Sequence, residues 1–162
     1  MKNIVRAFFH RRVAEPLRAQ LRQGVSARDL ALALALGVAL GVFPVLGTTT
    51  ALCAIAGISL RLNQPAIQVA NYLASPLQLL LFIPFFQAGA ALFGLPPVPF
   101  TFDEIQTEMR SDFGATAARY LGANARAVVA WAVFTPVAAL GLYGVLRASL
   151  RRMLDRGKAR AT

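Results

Sequence analysis

The sequence has one cysteine, one histidine and only seven acidic residues among its 162 positions. The lone Cys53 excludes an intrachain disulfide and says nothing about redox compartment. With His10 as the sole histidine and no His, Cys, Asp or Glu group at metal-ligand spacing, neither a metal centre nor a nucleophile paired with a base is supported. The expectation is a protein with no catalytic residues, no metal and no cofactor: not an enzyme. Charge is scarce as well, at 15% of residues against the usual quarter or so. It is absent from Leu30 to Leu60, from Leu62 to Phe102 and from Ala127 to Leu146, runs of 31, 41 and 20 residues. Each exceeds the roughly 18 apolar residues that mark a membrane segment. A hydrophobic content of 57% and a mean hydropathy of +0.56 are more than one soluble core of this length requires.

The charge that is present lies mostly at the ends. Residues 1–29 carry seven positive and two negative side chains, net +5, and the tail from Arg147 is also net +5, whereas residues 95–126 are net −1 with four acids and three arginines. A total of +10 could suit nucleic acid, but basic ends flanking apolar runs match cytoplasmic retention and anionic lipid head groups better. Both termini are therefore expected in the cytoplasm of a multi-pass protein, with residues 95–126 outside. A cleaved signal peptide is not expected, since the apolar run starts near residue 30 and outlasts a typical h-region.

Three regions follow: a basic amphipathic interfacial segment over 1–25, a membrane domain over 26–146 that includes an external loop and helix at 95–126, and a basic cytoplasmic tail over 147–162. In the first, Ile4, Val5, Phe8, Phe9, Val13, Leu17 and Leu21 recur at helical spacing between arginines, with Pro16 dividing them. Ser26 and Asp29 form S-x-x-D, a helix start. That helix runs to Phe43, where Pro44 and Gly47 break it, and a second begins near Thr48 and ends at Arg61. The arms measure about 25 and 20 Å, short of the roughly 30 Å of hydrocarbon, so a re-entrant hairpin fits better than two thin crossings, which the charges leave open. Pro76 is expected to break the next segment. Asp29 lies 15 positions before Pro44 and Arg61 lies 15 before Pro76, which suggests a duplicated broken helix. Thr101 and Glu104 form a second capping box, and Glu104, Glu108 and Asp112 share one helix face, either a solvated helix start or a cation site. In the last crossing, Ala127 to Leu146, Trp131 and Tyr143 stand where interfacial anchors would. The fold class is thus an all-α integral membrane protein, a short helical bundle with one or two broken or re-entrant helical hairpins plus full transmembrane crossings.

Candidate function rests on polar residues inside the apolar stretches. Gln64, Gln68, Asn71, Ser75 and Gln78 form a stripe on one helix face, which either hydrogen-bonds between helices or lines a polar pathway. The breaks at Pro44, Gly47 and Pro76 would create helix N-termini at Thr48, Thr49 and Thr50 and at Ser75. Such ends either cap a turn or hold an anionic group or head group, with Gly47 giving access and Arg61 a candidate charge partner. Gly37-x-x-x-Gly41 reads as a close-packing pattern between helices.

The stretches SARDLALALALGVALGVFPVLGTTTAL, RLNQP and NYLASPLQ together resemble the bacterial membrane-protein family known as domain of unknown function 2062. Family members often carry asparagine where this chain has Ser75, before Pro76. The resemblance implies a bacterial inner-membrane location, and a related domain is sometimes joined to glycosyltransferases of cell-envelope assembly; it implies no established activity. Two functions are consistent with all of this. One is transport or translocation of an anionic solute or a lipid-linked envelope precursor. The other is a non-catalytic membrane adaptor or scaffold for cell-envelope synthesis enzymes. The partners expected are membrane lipids with anionic head groups, an envelope-synthesis enzyme or a second copy of the chain, and no nucleic acid.

Overall fold

The structure, a computed structural model, describes residues 26–96, 106–107 and 110–158. The amphipathic segment expected over 1–25 and the capping box of Thr101 and Glu104 lie outside the described residues. Among those described, the chain order is α1 (Ala27–Gly41), α2 (Thr49–Ser59), α3 (Gln64–Leu92) and α4 (Phe113–Lys158), with no strand.

Each boundary has a local cause. The Asp29 N–H donates to Ser26 Oγ at 3.0 Å and the Ser26 hydroxyl donates to the Asp29 carboxylate at 2.7 Å, starting α1 as its S-x-x-D motif predicts. Pro44 has no N–H and disfavours helical backbone in the residue before it, so α1 stops. Gly47 then turns the chain at φ +84°. α2 ends in a Schellman motif: the Leu62 N–H donates to the Gly57 carbonyl at 2.8 Å and the Arg61 N–H to the Ile58 carbonyl at 3.2 Å. Arg61 sits in the left-handed region at φ 52° to complete it. Asn63 then caps α3, its Oδ1 accepting from the Ala66 N–H at 2.9 Å, with Pro65 in the first turn. RLNQP is therefore punctuation, closing one helix and opening the next within five residues.

Pro76 does not break α3. The helix is continuous through both Pro76 and Pro84, so the second broken hairpin and the duplication inferred from matched spacing are not present; among the described residues, the proline-marked break in an apolar run is the one between α1 and α2. A proline costs about 3 kcal/mol in a bare helix. Here α3 continues past Pro76 because its flanking turns are held by packing, with Ala70 and Ala74 against α1 and Phe85 and Phe86 in a core with α4. α4 also exceeds its expected length. Its 46 residues run without interruption through positions 126 and 146, where the sequence suggests boundaries, and past Pro136. At 1.5 Å per residue it measures about 69 Å.

Small residues bring the helices together. A Cβ on Gly37 would collide with the Ile67 carbonyl oxygen and lie 2.6 Å from the Ala70 Cβ; one on Gly41 would lie 2.9 Å from the Ala74 Cβ. Gly37 against Ile67 and Ala70, then Gly41 against Asn71 and Ala74, means that α1 and α3 run parallel, the outcome of an up-down-up path through α2. Gly89 meets the Arg126 backbone in the same way, at 2.6 Å. Such close approach permits Cα–H···O contacts and dense packing without bulky side chains. Ala27, Leu30, Cys53, Ile67 and Leu150 form one core, and Val42, Ala74, Phe85, Ala127 and Ala130 another.

Large apolar side chains face outward instead. Ile58, Leu80, Val137 and Leu140 are each at least 70% exposed. α3 and α4 are long and apolar enough to cross a membrane, and their most apolar stretches are only 33% and 11% buried. A core helix of a soluble protein would be mostly buried.

Candidate functional site

The break between α1 and α2 is where backbone polar groups come loose. The last carbonyls of α1 lack helical partners, and so do the first N–H groups of α2. Side chains from both long helices reach the carbonyls. Gln78 Nε2, on α3, donates to the Phe43 carbonyl at 2.8 Å, and Trp131 Nε1, on α4, donates to the Ala39 carbonyl at 3.0 Å. The Trp131 ring meets Phe43 edge-on, with centroids 4.9 Å apart. Pro44 is among the most completely buried side chains of the chain. The indole that resembled an interfacial anchor is thus a clamp on α1, its N–H spent inside the protein.

Gln64, Gln68 and Asn71 of the polar stripe grip α2. Gln64 Nε2 donates to the Ala54 carbonyl at 3.0 Å and Gln68 Nε2 to the Thr50 carbonyl at 3.1 Å. Asn71 Nδ2 reaches Thr50 Oγ1 and Gln68 Oε1, both at 3.4 Å, and the Ser75 hydroxyl bonds back to the Asn71 carbonyl at 3.5 Å. Carbonyl oxygens have two lone pairs, so Ala54 and Thr50 can accept these bonds beside their helical ones. The descending order of acceptors against the ascending order of donors makes α2 antiparallel to α3. Gln64, Gln68, Asn71 and Gln78 therefore hold the broken hairpin from one face of α3, whereas Ser75 on the same face is exposed and bonds only within its own helix.

The threonines divide their roles. The Thr48 hydroxyl donates to the Val45 carbonyl at 2.9 Å and makes no cap bond to α2. Thr49 is buried, while Thr50 is exposed and accepts from Asn71. The first turn of α2 is consequently left without a side-chain cap. Gly47 has open space around its missing Cβ and lies at the exposed tip beside Leu46. Ser75 is inside a helix, so the reason for expecting an anion at its N–H does not hold; that expectation is corrected. Arg61 stands at the far end of α2 from the threonines, about 16 Å away along the axis, so the structure does not bring the two together. Instead, Arg61 shares one end of the bundle with Arg28, Arg147, Arg151 and Arg152, around the core of Ala27, Leu30 and Leu150 with Leu62 and Met153 packed on it.

Asn71 is 1% exposed, and its Oδ1 has no hydrogen-bond partner. It lies 3.1 Å from where a Gly41 Cβ would be, so the oxygen faces the Gly41 backbone rather than the threonines. Among the described residues no three His, Cys, Asp or Glu side chains converge.

A model of one protein family matches residues 10–158, spanning the break, RLNQP, the stripe and α4. The chain belongs to the DUF2062 family. That family is described as an uncharacterized protein conserved in bacteria, which agrees with the resemblance carried by the broken helix and its neighbours. No curated protein and no solved structure matches the chain. In this DUF2062 protein the motif FPVLG marks the hairpin break and RLNQP the turn behind it. The residue that sequence patterning misses is Trp131: its partner Ala39 lies 92 positions away, and no local periodicity reports such a pairing.

Proposed function

We propose that this DUF2062 protein is a multi-pass protein of the bacterial inner membrane that acts as a non-catalytic scaffold or adaptor for cell-envelope synthesis enzymes. The observation that carries the reading is the use of its polar side chains: Gln64, Gln68, Gln78 and Trp131 bond to the protein's own break and to α2, while bulky apolar residues cover much of the outside. A broken helix inside lipid requires this kind of internal satisfaction. An exposed apolar surface of that extent would aggregate in water and suits hydrocarbon. The groove between α1, α3 and α4 is lined by apolar side chains and Thr135, and reaches neither Gly47 nor Ser75. That favours a rigid body over a polar pathway. Both termini are read as cytoplasmic, so the arginine end of the bundle faces the cytoplasm, where a partner enzyme or anionic head groups would meet it.

A second reading, translocation of an anionic solute or lipid-linked precursor, is favoured by one observation: the first turn of α2 has no side-chain cap, leaving donors free for an anion. Reconstitution into liposomes separates the two. The scaffold reading expects no flux of anionic solute or lipid above protein-free vesicles, together with reproducible crosslinks to one envelope-synthesis enzyme in cells. Flux that is lost in Thr49→Val would establish translocation instead. Crosslinks to lipid alone would remove the adaptor role.

A further inference from the structure

The groove between α1, α3 and α4 has a volume of about 280 Å³ and takes its walls from three lengths of helix, residues 35–42, 77–85 and 134–142. Each length measures about 10–12 Å. α1 and α3 run parallel and α4 runs against them, since Ala27 shares a core with Leu150 and Val42 shares one with Ala127. The groove is therefore a slot along the helix axes, the direction in which lipid chains lie around a bundle that stands in a membrane. Its cause is side-chain size: Ala35, Ala39, Ala138 and Ala139 leave a gap between the larger Leu81 and Phe134. Leu77 and Phe134, which line it, are 40% and 52% exposed, so the slot is open along its side.

Charge and width together narrow the occupant. The slot lies wholly within the three charge-free runs, and the Thr135 hydroxyl is the one polar side chain in its walls. A phosphate or any other charged head group would be desolvated there without a partner. A second helix does not fit either: with a diameter of about 10–12 Å, a matching length of helix needs on the order of 1,000 Å³. Another copy of the chain can cross the mouth of the slot without filling it. A single hydrocarbon chain is uncharged, slender and already aligned with the slot.

We propose that the slot is a site for one hydrocarbon chain of a membrane lipid, taken up sideways from the bilayer with the head group left outside. The site rests on the membrane reading given above and adds a ligand of defined chemistry to it. Recognition is by the chain, and the head group contributes little.

Photolabelling tests the site. The full chain, purified in detergent, is titrated with phosphatidylglycerol carrying a diazirine in the middle of one acyl chain, irradiated, and the adducts are mapped by peptide mass spectrometry. Val38 and Val42 in the slot should take most of the adducts and saturate at one lipid per chain, whereas labelling of the outward-facing Ile58 should rise without saturating. Phosphatidylcholine with the same chain should label the slot equally. Ala138→Phe, which fills the slot, should cut its labelling about tenfold, and Val137→Phe, the same bulk one position away and outside the slot, should leave it unchanged. Adducts spread evenly over slot and outward-facing residues would overturn the proposal, since lipid around any membrane protein gives that map. So would unchanged slot labelling in Ala138→Phe, or labelling by phosphatidylglycerol alone, which would place recognition in the head group. A slot without adducts in a chain that crosslinks to its own copies would overturn it in favour of a second copy over the mouth. Should Ala138→Phe fail to fold by circular dichroism, the wild-type map still decides. Alkaline extraction of bacterial membranes keeps the two readings apart: release of the protein contradicts membrane embedding, whereas retention with an even adduct map contradicts only the slot.

Discussion

At the scale of single residues, space and backbone angle decide which glycines matter. A methyl on Gly37 has nowhere to go, facing the Ile67 carbonyl and Ala70, whereas Gly144 has open surroundings in the same fold. Gly37→Ala should therefore destabilise the protein by about 1–3 kcal/mol, and Gly144→Ala should be neutral or stabilise it by about 0.5–1 kcal/mol, both read by denaturant titration in detergent. Arg61 makes the opposite case. Its φ of 52° places a β-carbon where glycine is cheaper, while the same motif at the end of α3 uses Gly94 at φ 63°. Arg61→Gly should raise stability by about 1 kcal/mol, and Arg61→Ala should not; a fall in stability for Arg61→Gly would mean that the guanidinium itself holds the turn. The close-packed glycines are legible in the sequence as Gly37-x-x-x-Gly41. The left-handed Arg61 is not, because nothing in the composition of RLNQP distinguishes a strained arginine from an ordinary turn residue.

At the scale of elements, the account turns on one real break and one apparent one. Both follow a proline in an apolar run, so local sequence treats them alike. They differ in what lies around them: Pro44 is followed by Gly47 and leads into a helix reversed in direction, whereas Pro76 lies in the middle of a helix clamped on both sides by packing. Pro76→Ala should leave the helical circular-dichroism signal unchanged within error and should not lower stability, since no turn depends on the ring. A gain of a helical turn in that variant would restore the second break. Gln78→Leu should cost about 1–3 kcal/mol, because it leaves the part-buried Phe43 carbonyl without its donor; thermal unfolding in detergent would show it. The stripe itself was readable from its 4, 3, 4, 3 spacing, and the helix boundaries at Ser26, Asn63 and Gly94 follow from capping chemistry that acts over three or four residues. The acceptors Ala54, Thr50 and Phe43 were not readable, since they belong to other elements and depend on how α2 folds back.

At the scale of the whole molecule, the distribution of residue types departs from that of a soluble domain: the cores are mostly alanine with a few large side chains such as Leu30, Ile67 and Phe85, while many leucines, isoleucines and valines face outward. Composition and charge-free runs already carry that information, which is why the all-helical class was accessible from the sequence. The length of α4 was not, because its charged ends at 113–126 and 147–158 resemble loops and a tail until their continuity as one helix is seen. The central claim is that the polar stripe serves to close the one broken hairpin and is dry. Substituted-cysteine labelling tests it directly, in a Cys53→Ser background with single cysteines at the buried stripe positions Asn71 and Gln78 and, as a control, at exposed Arg61. With a membrane-impermeant maleimide applied to vesicles of each orientation, the account predicts labelling at position 61 from the cytoplasmic face alone and none at 71 or 78 until the protein is denatured. Labelling at 71 and 78 in native vesicles would reveal a water-filled path along the stripe and contradict it.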